Sequence, residues 1–269
     1  MFELPRSASN EQVKYLKRLY RKKTRKNEGK IILEGFRIVL EALRNRVRFQ
    51  AVFISEDFFS SKEGQAILGQ QANFGKLFLL EQKILQEIAD TQNPQGIIAI
   101  ADQKVCPQFN WGQARTILVL DQVQDPGNMG TMIRTALAAG VDGIITLKGS
   151  VEIYNLKVLR ATMGAIFTIP IMADIDLVHF KEILKGQGDN FKVISADFSG
   201  EKYYYQADYG QQTIIIIGNE ANGIRAEVLQ FSDLRVKIPL IGQIDSLNAA
   251  IAAGVILYKI AENRIRENS

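Results

Sequence analysis

The 269-residue sequence contains one cysteine, Cys106, and one histidine, His179. A disulfide within the chain is therefore excluded, and a reducing compartment fits. The same two residues are too few for a zinc site, or for a Cys–His nucleophilic pair of any recognised spacing. The sequence also lacks a G-x-G-x-x-G turn and a G-x-x-x-x-G-K-[ST] loop, so little supports a dinucleotide or P-loop reading. No N-terminal apolar segment has the form of a signal peptide. The longest near-apolar stretch, Ala249 to Tyr258, is too short to span a bilayer. Internal repeats and low-complexity tracts are missing too. These absences predict a soluble, cytoplasmic protein with neither metal nor membrane as partner.

What is present suits a packed globular chain of one large or two ordinary domains, with 46% hydrophobic and 23% charged residues. The net charge is only +4, but it is unevenly spread. Nine basic residues and one acid, Glu28, lie between Lys14 and Lys30. Such a cluster suits a polyanion, where each neutralised phosphate releases counterions, although a solvated helix face has the same composition. Asn10 to about Lys26 reads as one amphipathic helix, with Val13, Leu16 and Tyr20 on its apolar face. Lys14, Arg18, Arg21, Lys22, Lys23 and Arg25 are its candidate RNA-binding residues.

Alternating strand and helix patterns follow. Strands are expected at Lys30–Leu33, Gln50–Ser55, Lys76–Leu80 and Gly96–Ala101, with helices at Gly35–Arg46, Asp57–Gln71 and Glu81–Ala89. The segment from Val105 to Ala114 has no clear periodicity and reads as a linker. Beyond it, strands are expected at Ile117–Leu120, Gly143–Leu147, Ala165–Met172, Lys192–Ala196, Thr213–Ile217 and Val236–Ile238. Helices are expected at Tyr154–Met163, Asp176–Leu184 and Leu247–Asn263.

The stretch ILVLDQVQDPGNMGTMIRTALAAG organises this second half. An apolar strand, a turn, a short helix closed by Gly140 and a second strand make a parallel βαβ unit. Ligands in such sheets gather outside the carboxyl ends of the strands. Three loops there carry polar residues and glycines: Asp125 to Arg134, Gly218 to Gly223, and Ile241 to Asn248. Each has an ordinary explanation by itself. Asn128 and Ser246 stand where helix N-caps are expected, and Glu220 lies in a turn. Jointly they point to function, because polar loops at the ends of buried strands tend to be functional.

The three segments resemble the motifs of the SpoU (TrmH-type) RNA ribose 2′-O-methyltransferases. Asn128, Gly130 and Arg134 match N-x-G-x-x-x-R. Gly218, Glu220 and Gly223 match G-x-E-x-x-G. Ile238, Pro239, Gly242, Ser246, Leu247 and Asn248 match I-P-x-x-G followed by S-L-N. The first domain, with VKYLKRL and NPQGIIAI, is similar to the L30e-like RNA-binding domain of many members.

The resemblance implies an α/β fold in two parts. An L30e-like substrate-binding domain over residues 1–106 and a linker over 107–114 precede a SPOUT-type α/β domain over 115–269, which carries a trefoil knot. It implies S-adenosylmethionine as cofactor, bound near Gly218, Ile238, Leu247, Ala196 and Leu240. Arg134 would activate the ribose 2′-hydroxyl or grip the adjacent phosphate. Asn128, Glu220, Ser246 and Asn248 would order the catalytic site, and Arg160 in RATMGAIFTIP would touch RNA phosphate. A homodimer acting on RNA is expected, ribosomal RNA before transfer RNA. The rival readings are a non-catalytic RNA-binding or ribosome-assembly protein and a base methyltransferase. One departure from the family pattern is Ala250, where many members carry serine.

Overall fold

The computed structural model describes residues 2–3, 11–69, 74–103 and 109–267. The first part of the chain forms β1 (Phe2–Glu3), α1 (Glu11–Leu19), α2 (Lys22–Glu28), β2 (Lys30–Glu34), α3 (Phe36–Arg44) and β3 (Phe49–Ser55). It continues through α4 (Glu56–Ser60), α5 (Lys62–Leu68), β4 (Lys76–Leu80), α6 (Gln82–Ile88) and β5 (Ile97–Asp102). Next come β6 (Thr116–Leu120), α7 (Pro126–Ala138), β7 (Gly143–Leu147), α8 (Leu156–Thr162), β8 (Ile171–Ile175) and α9 (Leu177–Gln187). The chain ends with β9 (Lys192–Ala196), β10 (Lys202–Tyr203), β11 (Thr213–Ile217), α10 (Ala226–Leu229), β12 (Leu234–Lys237) and α11 (Ala249–Glu267).

These elements form two compact units. One holds the chain through Val105 together with Tyr154–Phe167, and the other holds Cys106–Ile153 and Thr168–Ser269. The expected boundary at 107–114 was continuous in sequence, whereas the fold places α8 in the first unit. Leu156 of α8 joins that unit's core, and Gly164, just beyond α8, lies so close to α3 that a Cβ there would stand 2.4 Å from the Glu41 Cβ. Of the expected linker, Cys106 and its neighbours lie outside the described residues. Its later part is no loose tether: Phe109 and Ala114 are buried in the second unit's core, and Trp111 packs edge-on against Phe109 and Phe191.

The first unit is built on a five-stranded sheet of order β1-β4-β3-β5-β2. β1, β4 and β3 run parallel, while β5 is antiparallel to both of its neighbours. The single basic helix expected from Asn10 to Lys26 is two, and Asn10 itself lies outside the described residues. Arg21 is extended (φ −79°, ψ 123°) and starts α2. Leu19, rather than Tyr20, completes the apolar stripe of Val13 and Leu16. Arg25 does not face solvent. It is 4% exposed, and its Nη1 donates to the Leu19 and Tyr20 carbonyls at 3.0 and 2.8 Å. A helix ends with carbonyls that have no intrahelical donor, and Arg25 supplies one to the end of α1. It therefore leaves the RNA-facing set. Lys14, Arg18, Arg21, Lys22 and Lys23 remain exposed. The expected Asp57–Gln71 helix is likewise two, because the chain folds tightly at Ser61: a Cβ on Gly64 would fall 1.8 Å from the Phe58 carbonyl oxygen.

The second unit is a seven-stranded sheet of order β10-β12-β9-β11-β6-β7-β8, parallel at every pairing. β6, β7 and β11 are buried along their whole length, as near-continuous apolar runs in parallel sheets require. The run Ala165–Met172 is a strand only in part. Its first residues form a buried 3₁₀ turn at Ala165–Phe167, and β8 begins after Pro170. An apolar run reports burial, and it does not distinguish a tight turn from a strand. The last helix starts at Ala249, with Asn248 rather than Ser246 as its cap: Asn248 Oδ1 accepts from the Ala250 and Ile251 amides at 2.9 and 3.2 Å. Its small-residue run packs on α7, where a Cβ on Gly254 would meet Thr135 Cγ2 at 3.6 Å.

Candidate cofactor and catalytic site

The ends of β6, β11 and β12 bring the three motif loops together, and a chain of polar side chains holds them. α7 begins two residues before Asn128. Asp125 is its cap, accepting from the Asn128 amide at 2.7 Å, and Pro126 occupies the first turn. Proline suits that position because the N–H it lacks would have had no helical partner. The Asn128 side chain is thereby released from the capping role that its position suggested. Its Nδ2 donates to Glu220 Oε1 at 3.0 Å, and its Oδ1 accepts from Asn248 Nδ2 at 2.9 Å. Glu220 also accepts from the Gln124 and Asp125 amides, both at 3.3 Å. One relay, Glu220–Asn128–Asn248, thus touches all three motifs and runs into the cap of α11. A carboxylate only accepts, so Glu220 fixes which end of the Asn128 amide faces it.

A second tie escaped the sequence reading. Asp121, fully buried at the end of β6, accepts from Arg225 Nε and Nη2 at 2.8 and 2.6 Å and from the Arg225 amide at 2.8 Å. The signal was available: an aspartate placed directly after a buried strand needs a partner, but sequence does not say which arginine provides it. Asn219 is a third tie. Its Nδ2 donates to the Gln122 carbonyl at 2.8 Å, and its backbone pairs with Gly223 across the turn. That turn is tight enough that a Cβ on Gly218 would lie 2.3 Å from the Gly223 carbonyl carbon, which is why glycine stands there.

Beside the loops lies a groove of about 600 Å³, its open mouth included. Ala196, Ile238, Leu240 and Leu247 line it, as does Ser246. Gly218 is not among its lining residues, so the structure brings four of the five expected cofactor residues together and leaves the fifth in the loop behind. Apolar walls completed by Val236 and Ile256, with the carboxylates of Asp197 and Asp245 at the rim, fit a molecule carrying a flat heterocycle, a diol and an ammonium group. That is the chemistry of S-adenosylmethionine. Arg134 is exposed on α7 and has no ion-pair partner among the described residues, so its guanidinium is available to an anion. Arg160 belongs to the other unit, where Nη2 donates to Asp90 Oδ2 at 3.0 Å. Ala250 is buried at the start of α11 and contributes only its amide. Among the described residues no group of three or more His, Cys, Asp and Glu side chains could hold a metal ion.

Comparison with known proteins gives this arrangement a context. The profile of the SpoU rRNA Methylase family matches residues 115–258, and that of the MRM3-like substrate binding domain matches residues 10–99. The chain is 32% identical over 254 residues to the Bacillus subtilis 23S rRNA (guanosine(2553)-2′-O)-methyltransferase RlmP, covering 94% of this chain and 97% of that one. An rRNA methyltransferase from Sinorhizobium meliloti superposes with a TM-score of 0.86 at 29% identity, covering 98% of each chain. The AdoMet-bound form from the same organism gives 0.83 at 29% identity, again covering 98% of each chain. The family match begins just before β6, ends within α11 and takes in every strand and loop that carries the relay and the groove; the chain therefore belongs to the SpoU rRNA Methylase family.

Proposed function

We propose that this protein transfers a methyl group from S-adenosylmethionine to a ribose 2′-hydroxyl of ribosomal RNA, with 23S rRNA as the substrate. The observation that carries the reading is the Glu220–Asn128–Asn248 relay, which ties the three motif loops beside a groove of the right size and chemistry. The activity that names the Bacillus subtilis relative supports the choice of RNA. Transfer RNA is the alternative substrate.

The bound cofactor supplies an electrophilic methyl on a sulfonium. The chain's own residues orient the two reactants. Ala196, Ile238, Leu240 and Leu247 would hold the cofactor's apolar face, and Ser246 would offer a hydroxyl at the same wall. Asn128, Glu220 and Asn248 keep the loops in register, which would orient the attacking 2′-hydroxyl toward the cofactor site. Arg134 grips the neighbouring phosphate bidentately and stabilises the developing alkoxide. The hydroxyl proton leaves to solvent.

In this reading the C-terminal segment, from Gly218 to α11, threads the trefoil knot of the family, and residues 1–106, joined by α8, form the substrate-binding domain. The protein acts in the cytoplasm as a homodimer. The exposed residues Ile251, Tyr258 and Ile265 recur every seventh position on α11 and make a stripe that a second copy of the chain would cover.

The test is transfer of a tritiated methyl group to 23S rRNA. Arg134→Ala is expected to abolish transfer while leaving cofactor affinity within a few-fold. Turnover equal to that of the parent protein would sink the assignment.

A further inference from the structure

Within the first unit a groove of about 620 Å³ opens between the start of α3, the turn before β5 and α8. It shares no lining residue with the cofactor groove, and its polar groups are largely unspent. Arg37 is exposed, and neither it nor the Asn93 amide has a hydrogen-bond or ion-pair partner among the described residues. Gln95 Oε1 accepts from the Phe36 amide at 2.9 Å, which leaves Nε2 as an open donor. Arg160 is held by Asp90 through Nη2, while its buried Nη1 has no acceptor. Ile38 and Met163 supply apolar surface.

Glu34, at the back of this groove, offers a ligand no free acceptor, and its charge disfavours a second anion inside. Its carboxylate is buried and already accepts from the Asp90 and Thr91 amides at 2.9 and 3.0 Å, from the Thr91 hydroxyl and from the Tyr20 hydroxyl. With the Arg160–Asp90 pair neutral and Glu34 opposing an anion, the interior suits a neutral, flat group that offers hydrogen-bond acceptors to the open amide donors. Among the described residues, the free cation of the lining is Arg37, which is exposed. An interior with open amides and an exposed cation at the edge suits an unstacked nucleotide: base edge inside, phosphate outside. A neighbouring groove shares Arg37 and Gln95 and carries Phe36, which leaves room for the next base to stack.

We infer that this groove of the first unit is a base-reading site for one unpaired nucleotide of the RNA substrate, with Asn93 and Gln95 on the base edge and Arg37 on its phosphate. The inference rests on the functional reading above for its partner. Helix α8 makes it unusual, because Arg160 and Met163, encoded between β7 and β8, complete a groove otherwise formed by the N-terminal third of the chain.

The experiment measures binding of a fluorescein-labelled 23S rRNA fragment to the full-length protein, alongside methyl transfer to the same RNA. Asn93→Ala and Arg37→Ala break no hydrogen bond or ion pair among the described residues, and unchanged melting temperatures would verify that both fold. Each is expected to weaken RNA binding roughly tenfold, the range of one good base or phosphate contact, with cofactor affinity unchanged. Arg37→Ala should also lower the slope of log affinity against log salt by about one, and Asn93→Ala should leave it unaltered. Asn93→Asp keeps the shape but adds a repelling charge, and should bind more weakly than Asn93→Ala. Variants that bind as tightly as the parent would overturn the groove whether or not the protein methylates. A parent protein that binds RNA without methylating it, with binding lost in the variants, would overturn the functional reading and uphold the groove. A parent protein that binds no RNA would overturn both.

Discussion

Asn128 carries two side-chain hydrogen bonds of opposite sense, donating to Glu220 and accepting from Asn248, so no residue of a different polarity can replace it. Asn128→Asp would set a second carboxylate against Glu220, and like charges at hydrogen-bond distance repel strongly. The expected result is loss of methyl transfer by a factor of about 100 or more, of the order seen when an orienting group is misplaced. Asn128→Ala should retain more activity than Asn128→Asp, and steady-state transfer rates for the two would decide; the reverse order would show that the relay does not set the loop geometry. Asp121 tests stability instead of chemistry. Asp121→Ala leaves the Arg225 guanidinium without its partner. Because Arg225 retains some exposure, it relaxes toward water, and the cost is expected near the lower end for a broken buried pair, about 2–3 kcal/mol. Urea unfolding of the two proteins measures it.

At the scale of elements, the turn after β11 and the helix pair α1–α2 are each set by close contact. Gly218→Ala would push a methyl into the Gly223–Ile224 backbone, which cannot yield as a side chain would. Overpacking of this kind costs about 1–3 kcal/mol, and the loss should show in both stability and transfer. The helix pair gives a pH prediction. The phenols of Tyr15 and Tyr20 are both held above their ordinary value, Tyr15 pushed up to about 12, first by burial and then by the carboxylates of Glu28 and Glu34 beside them. The folded form therefore keeps those protons after the unfolded chain has begun to lose them near pH 10. The stability they contribute is intact below pH 10 and falls as pH rises from 10 toward 12. Urea midpoints measured from pH 8 to 11.5 should be level to pH 10 and then drop. Tyr20→Phe should make the drop shallower, and an unchanged curve would remove Tyr20 from the explanation.

At the scale of the whole molecule, the chain is not two beads cut at 107–114. Deleting residues 1–106 would strip α8 of β2, on which it packs, and is expected to uncover its buried residues Leu156, Val158 and Leu159. The shortened protein is expected to aggregate, as exposed contiguous apolar surface does. Substituting those three α8 residues with serine in the shortened chain should restore solubility, and the recovered soluble fraction of the two versions checks this.

The sequence by itself determined the chemistry and most of the elements. Strands such as Thr213–Ile217 and Gly143–Leu147 were legible because a strand buried on both faces must be apolar throughout. The motif residues were legible because their types and spacing carry the family resemblance. Only the tertiary structure decided where polar groups spend their hydrogen bonds. Asn128 and Ser246 both read as caps, yet Asp125 and Asn248 do the capping. Arg25 reads as one more surface cation, yet it turns inward to close α1. Asp121 and Arg225 lie far apart in sequence, and α8 belongs to a unit that its position in the chain does not suggest. Local patterns record whether a residue is buried and which period it follows. Which distant partner satisfies a buried or capped polar group depends on the through-space meeting of loops, and no local pattern encodes that.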